Sequence, residues 1–247
     1  MKQGFIIGFA LLSALLGAQS KVIAHRGYWK ASNLPQNSVA ALKAAQELGV
    51  YGSEFDVQRT LDGVLILNHD ADIQGKIIAD TPYKELKKIR LDNGERIPTL
   101  RKYLKVGKKE PSNRLIIELK PTKDLTLEKE IVRAALEEVN KVGVGDQVVY
   151  ISFALGICEE LKRQDPSVHV QYLKGDLSPQ ELYNKNISGL DYHYEVLRKY
   201  PLWIKQAKEL GLSTNSWTVN DPKIVEILEK MGIDQVTTDI PEQILKK

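Results

Sequence analysis

Disulfide chemistry is missing from this chain: Cys158 is the only cysteine in 247 residues, so no internal bridge can form and no thiolate metal cluster can be built. An excess of one charge is missing too. Lys and Arg number 35 against 32 Asp and Glu, a net charge of +3, which leaves no nucleic-acid footprint and predicts no nucleic-acid partner. There is no low-complexity tract, and no Pro/Gly/Ser linker long enough to divide the chain. The longest apolar run, residues 5–16, is too short to span a bilayer comfortably.

That run follows Met1-Lys2-Gln3 and precedes Ala18-Gln19-Ser20, so a basic start, an apolar middle and a small-residue exit occur in order. The pattern predicts a secretory signal peptide over residues 1–20, cleaved before Lys21, with export across the inner membrane to the periplasm. No Cys follows the apolar run, which disfavours a lipoprotein. Removing Lys2 takes the net charge of +3 to +2. The remaining residues 21–247 are expected to form one domain with no stable membrane span. A composition of 43% hydrophobic and 27% charged residues supports a core without covalent staples. Cys158, in the apolar run 154–158, is expected to be part of that core.

From Lys21 onward short β-branched runs alternate with longer amphipathic stretches, the pattern of βα units around a parallel sheet. Strands are predicted at 22–24, 52–57, 115–119, 148–152, 168–173, 189–192, 213–217 and 235–238. Helices are predicted at 37–48, 127–142, 154–164, 179–184, 202–210 and 222–231, with a final turn after Pro241. Eight parallel strands in this length predict an α/β fold, the (β/α)8 TIM barrel. Asp62-Gly63 is a hairpin-type turn, so residues 60–68 predict a small antiparallel excursion after the second strand. Residues 105–114, rich in charge, read as a loop.

Polar residues gather where a barrel builds its active site, at the C-terminal ends of strands. Glu54 and Asp56 alternate with Phe55, so both face one way. Two unpaired carboxylates inside a barrel would cost several kcal/mol. Something positive is expected between them, and oxygen ligands favour a hard divalent cation, Mg²⁺ or Ca²⁺. Glu118 adds a third carboxylate, and Lys120 shares its face. Arg26 offers a planar fork matched to phosphate oxygens. His25 and His69 could divide acid and base roles. Trp217 ends a strand, where it could stack on substrate or fill the barrel. The set describes phosphoryl transfer on an anionic small molecule. Simpler roles are available: Arg26 as an ion-pair partner of Asp56 or Asp70, and Lys120 as the neutraliser of Glu118. His169 and His193 are expected to be structural, since nothing pairs them with the main cluster.

The ordered motifs His25-Arg26-Gly27, Pro35-Gln36-Asn37-Ser38, Glu54-Phe55-Asp56-Val57, Thr60-Leu61-Asp62-Gly63-Val64, His69-Asp70, Glu118-Leu119-Lys120, Ser152-Phe153, Trp217-Thr218-Val219-Asn220 and Thr238-Asp239-Ile240-Pro241 cover nearly all of residues 21–247. In this the chain resembles the glycerophosphodiester phosphodiesterase family. The resemblance implies a (β/α)8 barrel that hydrolyses glycerophosphodiesters to glycerol 3-phosphate and an alcohol with one divalent ion. It further implies Glu54, Asp56 and Glu118 as metal ligands, His25 and His69 as the acid/base pair, Arg26 and Lys120 on phosphate, and Trp217 packed on the glycerol end. In the family's mechanism a glycerol hydroxyl attacks phosphorus, the alcohol departs, and water opens a cyclic phosphate. One departure is visible: Gln36 stands where the family usually has Glu, and Ser38 replaces the common Thr, which puts the support of Arg26 or the metal by position 36 in question. Residues 71–114 correspond to the family's substrate-covering insertion and are short here, which favours a small or open substrate site. Rival readings are a phospholipase C-like enzyme, a glycosidase, or a phosphoglycerol-binding barrel without catalysis. The glycosidase logic needs two separated carboxylates, whereas Glu54 and Asp56 share one strand.

Overall fold

The computed structural model describes residues 19–122 and 124–246, so residues 1–18 of the predicted signal peptide lie outside the described residues. In chain order the elements are β1 Lys21–Ala24, α1 Val39–Leu48, β2 Gly52–Arg59, β3 Leu65–Leu67, β4 Asp72–Ile73, β5 Lys76–Ile77, α2 Tyr83–Leu86, α3 Leu100–Gly107 and β6 Arg114–Leu119. They continue with α4 Leu125–Val142, β7 Val148–Ser152, α5 Leu155–Gln164, β8 Val170–Tyr172, α6 Pro179–Asn184, β9 Gly189–His193, α7 Tyr194–Lys199, α8 Trp203–Glu209, β10 Ser213–Trp217, α9 Pro222–Lys230, β11 Gln235–Thr238 and α10 Pro241–Ile244.

Eight strands pair in parallel in the order β1, β2, β6, β7, β8, β9, β10, β11, and the last returns to the first through Lys21↔Gln235 to Ala24↔Thr238. This closed sheet with intervening helices is the predicted (β/α)8 barrel. The antiparallel excursion is present as well: β3 pairs with β2 through Val57↔Leu67, after a turn in which the Gly63 N–H donates to the Thr60 carbonyl at 3.0 Å.

Alternation along the strands sorts the core into two layers. Ile23, Ile116, Val149, Ile151 and Leu173 pack inside the barrel, while Phe55, Val57, Leu115, Ile117 and Leu119 pack outward against Leu42, Tyr103 and Leu104 of the helices. Each such side chain taken from water stabilises the fold by about 1.5–3 kcal/mol. Since Phe55 and Val57 face the helices, Glu54 and Asp56 face the barrel interior. Cys158 is buried as expected, and burial pushes its thiol up to about 12, far from reactivity at neutral pH.

Helix boundaries differ from expectation where polar residues cap. The helix predicted from residue 37 begins at Val39, because the Ser38 side chain accepts from the Ala41 N–H as N-cap and Asn37 turns inward. Gly49 ends this helix with φ 77, the left-handed geometry a C-cap needs. The segment 105–114 is not a loop throughout: α3 runs to Gly107, burying Leu100, Tyr103, Leu104 and Gly107 on one face of a helix whose other positions carry its Lys and Arg. Residues 71–114 hold β4, β5, α2 and α3, and Ile78, Leu86, Ile89 and Ile97 pack with Ile66 as a satellite core beside β3. Among the described residues no helix is long and apolar enough to cross a membrane.

Candidate active site

Every residue singled out in the sequence for chemistry except Asp56 lines one cavity of about 140 Å³, namely His25, Arg26, Glu54, His69, Glu118, Lys120 and Trp217. Asp56 is fully buried and ion-paired to Lys120. The remaining wall is Ile151, Phe153, Leu173, Asp191, Thr218 and Thr237. None of residues 71–114 lines it, and the apolar side chains of that short segment are consumed by their own small core.

His25 follows β1, its N–H bonded to the Thr238 carbonyl at 3.0 Å. Its Nδ1 lies 2.7 Å from Asp239 Oδ1. A carboxylate can only accept, so Nδ1 carries the proton and Nε2 presents its lone pair, 4.0 Å from Glu54 Oε2. Asp239 is fixed in turn by Asn220, which donates from Nδ2 at 2.8 Å and accepts the Asp239 N–H at 2.9 Å. Burial would raise the Asp239 carboxyl, but the hydrogen bond and charge of His25 outweigh it and hold the group below the usual carboxylate range. The same logic recurs at His69, whose Nδ1 lies 2.7 Å from Asp70 Oδ1. Gln58 Nε2 donates to the His69 carbonyl at 3.1 Å and so anchors its backbone over β2. His69 is the more open of the two, 40% exposed against 18% for His25.

The loop between β1 and α1 is wound tightly enough that, besides Gly27, three of its residues are left-handed, Arg26 at φ 56, Asn33 at φ 53 and Asn37 at φ 58. Such conformations cost energy outside glycine, least for Asn. At Arg26 and Asn37 they aim polar groups at β2. The Arg26 N–H donates to Glu54 Oε2 at 2.8 Å, and Asn37 both donates to Asp56 Oδ2 at 2.8 Å and accepts the Asp56 N–H at 3.0 Å. The Arg26 guanidinium donates through Nη1 to Gln36 Oε1 at 2.6 Å and stands 3.4 Å from Asp56 Oδ2 through Nε. Gln36 therefore supports Arg26 without adding a negative charge beside it.

Glu54, Asp56 and Glu118 each bring a carboxylate oxygen within 4.8 Å of the others, all three buried. Asp56 and Glu118 are direct register partners on β2 and β6. The Lys120 ammonium bridges them, 2.7 Å from Asp56 Oδ1 and 2.8 Å from Glu118 Oε1. Glu54 Oε1 is buried with no hydrogen-bond partner among the described residues. Burial, then the charges of Asp56 and Glu118, drive the Glu54 carboxyl well above its ordinary range. Burial also lifts Glu118 to about 7 against the pull of Lys120. Asp56 goes the other way: burial is opposed successfully by Lys120, Asn37 and Arg26, and it stays ionised. The Lys120 ammonium and the Arg26 guanidinium, both on Asp56, thus leave three buried carboxylates undercompensated, with an orphaned oxygen turned into a hard-donor pocket. The residues fit a divalent cation.

Across the barrel, Trp217 donates from Nε1 to the Asp191 carbonyl at 2.9 Å and meets Phe153 edge-on, 5.2 Å between ring centres. His193 stacks on Tyr194 and caps α7 by accepting the Glu195 N–H, and touches the edge of Trp217. His169 lies apart from the acidic cluster, with Nε2 2.8 Å from Ser213 Oγ. Sequence reasoning gave no role to Asn37, Asp239 or Asp191. The signal for Asp191 was available: it is the one acidic residue within the apolar run 189–192, at an inward-facing position.

The sequence profile of the Glycerophosphoryl diester phosphodiesterase family matches residues 25–243. Among solved structures, a glycerophosphodiester phosphodiesterase from Parabacteroides distasonis superposes with a TM-score of 0.90 at 47% identity, covering 92% of this chain and 96% of that one. A phosphodiesterase from Oleispira antarctica, solved in complex with the product sn-glycerol-3-phosphate, has a TM-score of 0.80 at 25% identity, covering 92% and 96%. A glycerophosphodiester phosphodiesterase of Caldanaerobacter subterraneus subsp. tengcongensis is 28% identical over 239 residues, 91% of this chain and 96% of the relative.

Proposed function

Because the chain belongs to the glycerophosphoryl diester phosphodiesterase family, we propose that it hydrolyses glycerophosphodiesters to glycerol 3-phosphate and an alcohol, in a cation-dependent reaction with His25 and His69 as proton carriers. The observation that carries this reading is a single cavity holding two carboxylate-anchored histidines and two basic side chains above three buried, undercompensated carboxylates. The Oleispira relative, solved with sn-glycerol-3-phosphate, supports a small-molecule phosphoglycerol substrate.

In this reading Glu54, Asp56 and Glu118 hold one divalent cation, Mg²⁺ or Ca²⁺. When bound it neutralises phosphate charge and acidifies a nearby hydroxyl. Arg26 and Lys120 supply charge-assisted donors to the non-bridging phosphate oxygens. One histidine takes the proton from the glycerol hydroxyl as its oxygen bonds to phosphorus, and the other protonates the departing alcohol oxygen as its bond to phosphorus breaks. The roles then reverse as water adds across the cyclic ester. Trp217 closes the apolar side of the cavity against the glycerol carbons. Residues 1–20 act as an export signal for a periplasmic enzyme, tested by sequencing the N-terminus of the exported protein, expected at Lys21.

The decisive measurement is release of glycerol 3-phosphate from glycerophosphocholine and glycerophosphoethanolamine with Mg²⁺ or Ca²⁺, before and after chelation. Turnover is expected to stop on chelation and to recover with the cation. His25→Ala and His69→Ala are each expected to lower kcat by about 10²–10⁴ while sparing product binding. Intact diesters throughout the panel would sink the reading, and turnover that survives complete chelation would favour a metal-independent, phospholipase C-like chemistry. Undiminished turnover in both variants would remove the histidines from their role.

A further inference from the structure

The mechanism above leaves one buried ionisable group in the cavity without a task. Asp191, on β9, lines the cavity and is 1% exposed, and its Oδ1 has no hydrogen-bond partner among the described residues. A buried carboxyl oxygen without a partner is costly, so such atoms are rare unless something arrives to satisfy them. Burial, with the charge of Glu118, pushes the carboxyl up against a hydrogen bond from Asn215, and in either protonation state the orphaned oxygen can accept a hydroxyl hydrogen.

Its surroundings are built. Asn215 is its register partner on β10 and donates to Thr237 Oγ1 at 2.9 Å on β11, while the Trp217 indole N–H fixes the Asp191 carbonyl. In the strand order β9 stands diametrically opposite β2, the strand that carries Glu54 and Asp56. Arg26, Lys120, Trp217 and Asp191 line this one cavity, so a substrate held by its phosphate against Arg26 and Lys120 can turn its far end toward Asp191.

We propose that Asp191 is a specificity-determining residue, whose carboxyl hydrogen-bonds the hydroxyl of the polyol end farthest from phosphorus. The inference rests on the phosphoglycerol reading of the site and names the group that tells glycerol from a shorter diol. Phe153, Leu173 and Ile151 offer that hydroxyl no partner; the remaining wall has Thr218 and Thr237, and Thr237 Oγ1 already accepts from Asn215. A ligand lacking it leaves the Asp191 oxygen buried and unpaired, which is how a polar site rejects an analogue.

The test compares calorimetric binding of glycerol 3-phosphate with that of propane-1,2-diol 1-phosphate, which keeps the vicinal hydroxyl and lacks only the terminal one. Wild type is expected to favour glycerol 3-phosphate by about ten- to a hundredfold. Asp191→Leu is expected to abolish the preference by weakening glycerol 3-phosphate alone, whereas Asp191→Asn, which keeps a donor and an acceptor, retains most of it. Equal binding of the two phosphates by wild type, or equal weakening of both in Asp191→Leu, overturns the proposal; should Asp191→Leu not fold, Asp191→Ala is read the same way. The binding comparison is independent of turnover, so an inactive protein that still discriminates would sink the phosphodiesterase reading and leave Asp191 in its role.

Discussion

Asp239 touches neither of the basic side chains nor the acidic cluster in the contacts described above, yet it decides what His25 can do. Bound to Nδ1, it leaves Nε2 as the basic nitrogen in the cavity. In Asp239→Asn the amide would be free to donate to Nδ1 and turn the protonated nitrogen inward, so kcat is expected to fall about a hundredfold or more with KM little changed; steady-state kinetics on one diester checks this. The pair also carries an acid signature. The Asp239 carboxyl is depressed in the folded state, so its contribution to stability is present above the unfolded carboxylate value near 4 and is lost as pH falls through the folded value. Thermal midpoints of wild type and Asp239→Asn should therefore differ at pH above about 5 and converge in acid. Parallel curves over the whole range would contradict the assignment. Asp239 and Asn37 fall within motifs visible in the sequence, but their roles were hidden because each acts through a neighbour that only folding supplies.

The loop between β1 and α1 is the element on which the site depends most. Gly27, at φ 79, lets it pass under α1: a Cβ there would stand 2.8 Å from the Ala41 carbonyl carbon. Gly27→Ala must therefore move backbone rather than a flexible side chain, and displace Arg26 with it. A loss of about 2 kcal/mol or more in urea denaturation is expected, together with weaker phosphate binding. Unchanged stability would mean the loop is free to shift. Elements with strong periodicity were legible in advance, as the eight barrel strands and the hairpin at Asp62-Gly63 demonstrate. Less legible were α3, whose lysines and arginine mask a buried face of Leu100, Tyr103 and Leu104, and the start of α1, where Asn37 looked helical and instead binds Asp56.

Closing eight strands into a barrel forces Glu54, Asp56 and Glu118 into one low-dielectric space, and the whole molecule bears the consequence. Without a cation, Glu118 titrates near 7 when folded and near 4.3 when unfolded. Between those values the folded state binds more protons, so the stability of chelated protein should fall as pH rises through that window. Urea midpoints at about pH 5 and about pH 7.5 measure this, and Glu118→Gln should flatten the slope. Added Mg²⁺ or Ca²⁺ should restore stability at the higher pH, by about 2.7 kcal/mol at a hundredfold excess over Kd. A chelated protein that becomes more stable over this range would argue against a cation site.

Alternation of polar and apolar residues determined, from the sequence alone, that the chain forms parallel strands with helices between them and that Glu54 and Asp56 share a face, because strand geometry admits no other arrangement. Residue type determined that the strand ends carry groups suited to a cation and a phosphate. Tertiary structure decided which of these groups meet. That Asp239 holds His25 across 214 residues of chain, that Gln36 holds Arg26, that the insertion stays clear of the cavity and that Asp191 faces Glu54 from the opposite wall all follow from barrel closure and loop path. Such contacts join residues far apart in sequence, and local pattern holds no record of them.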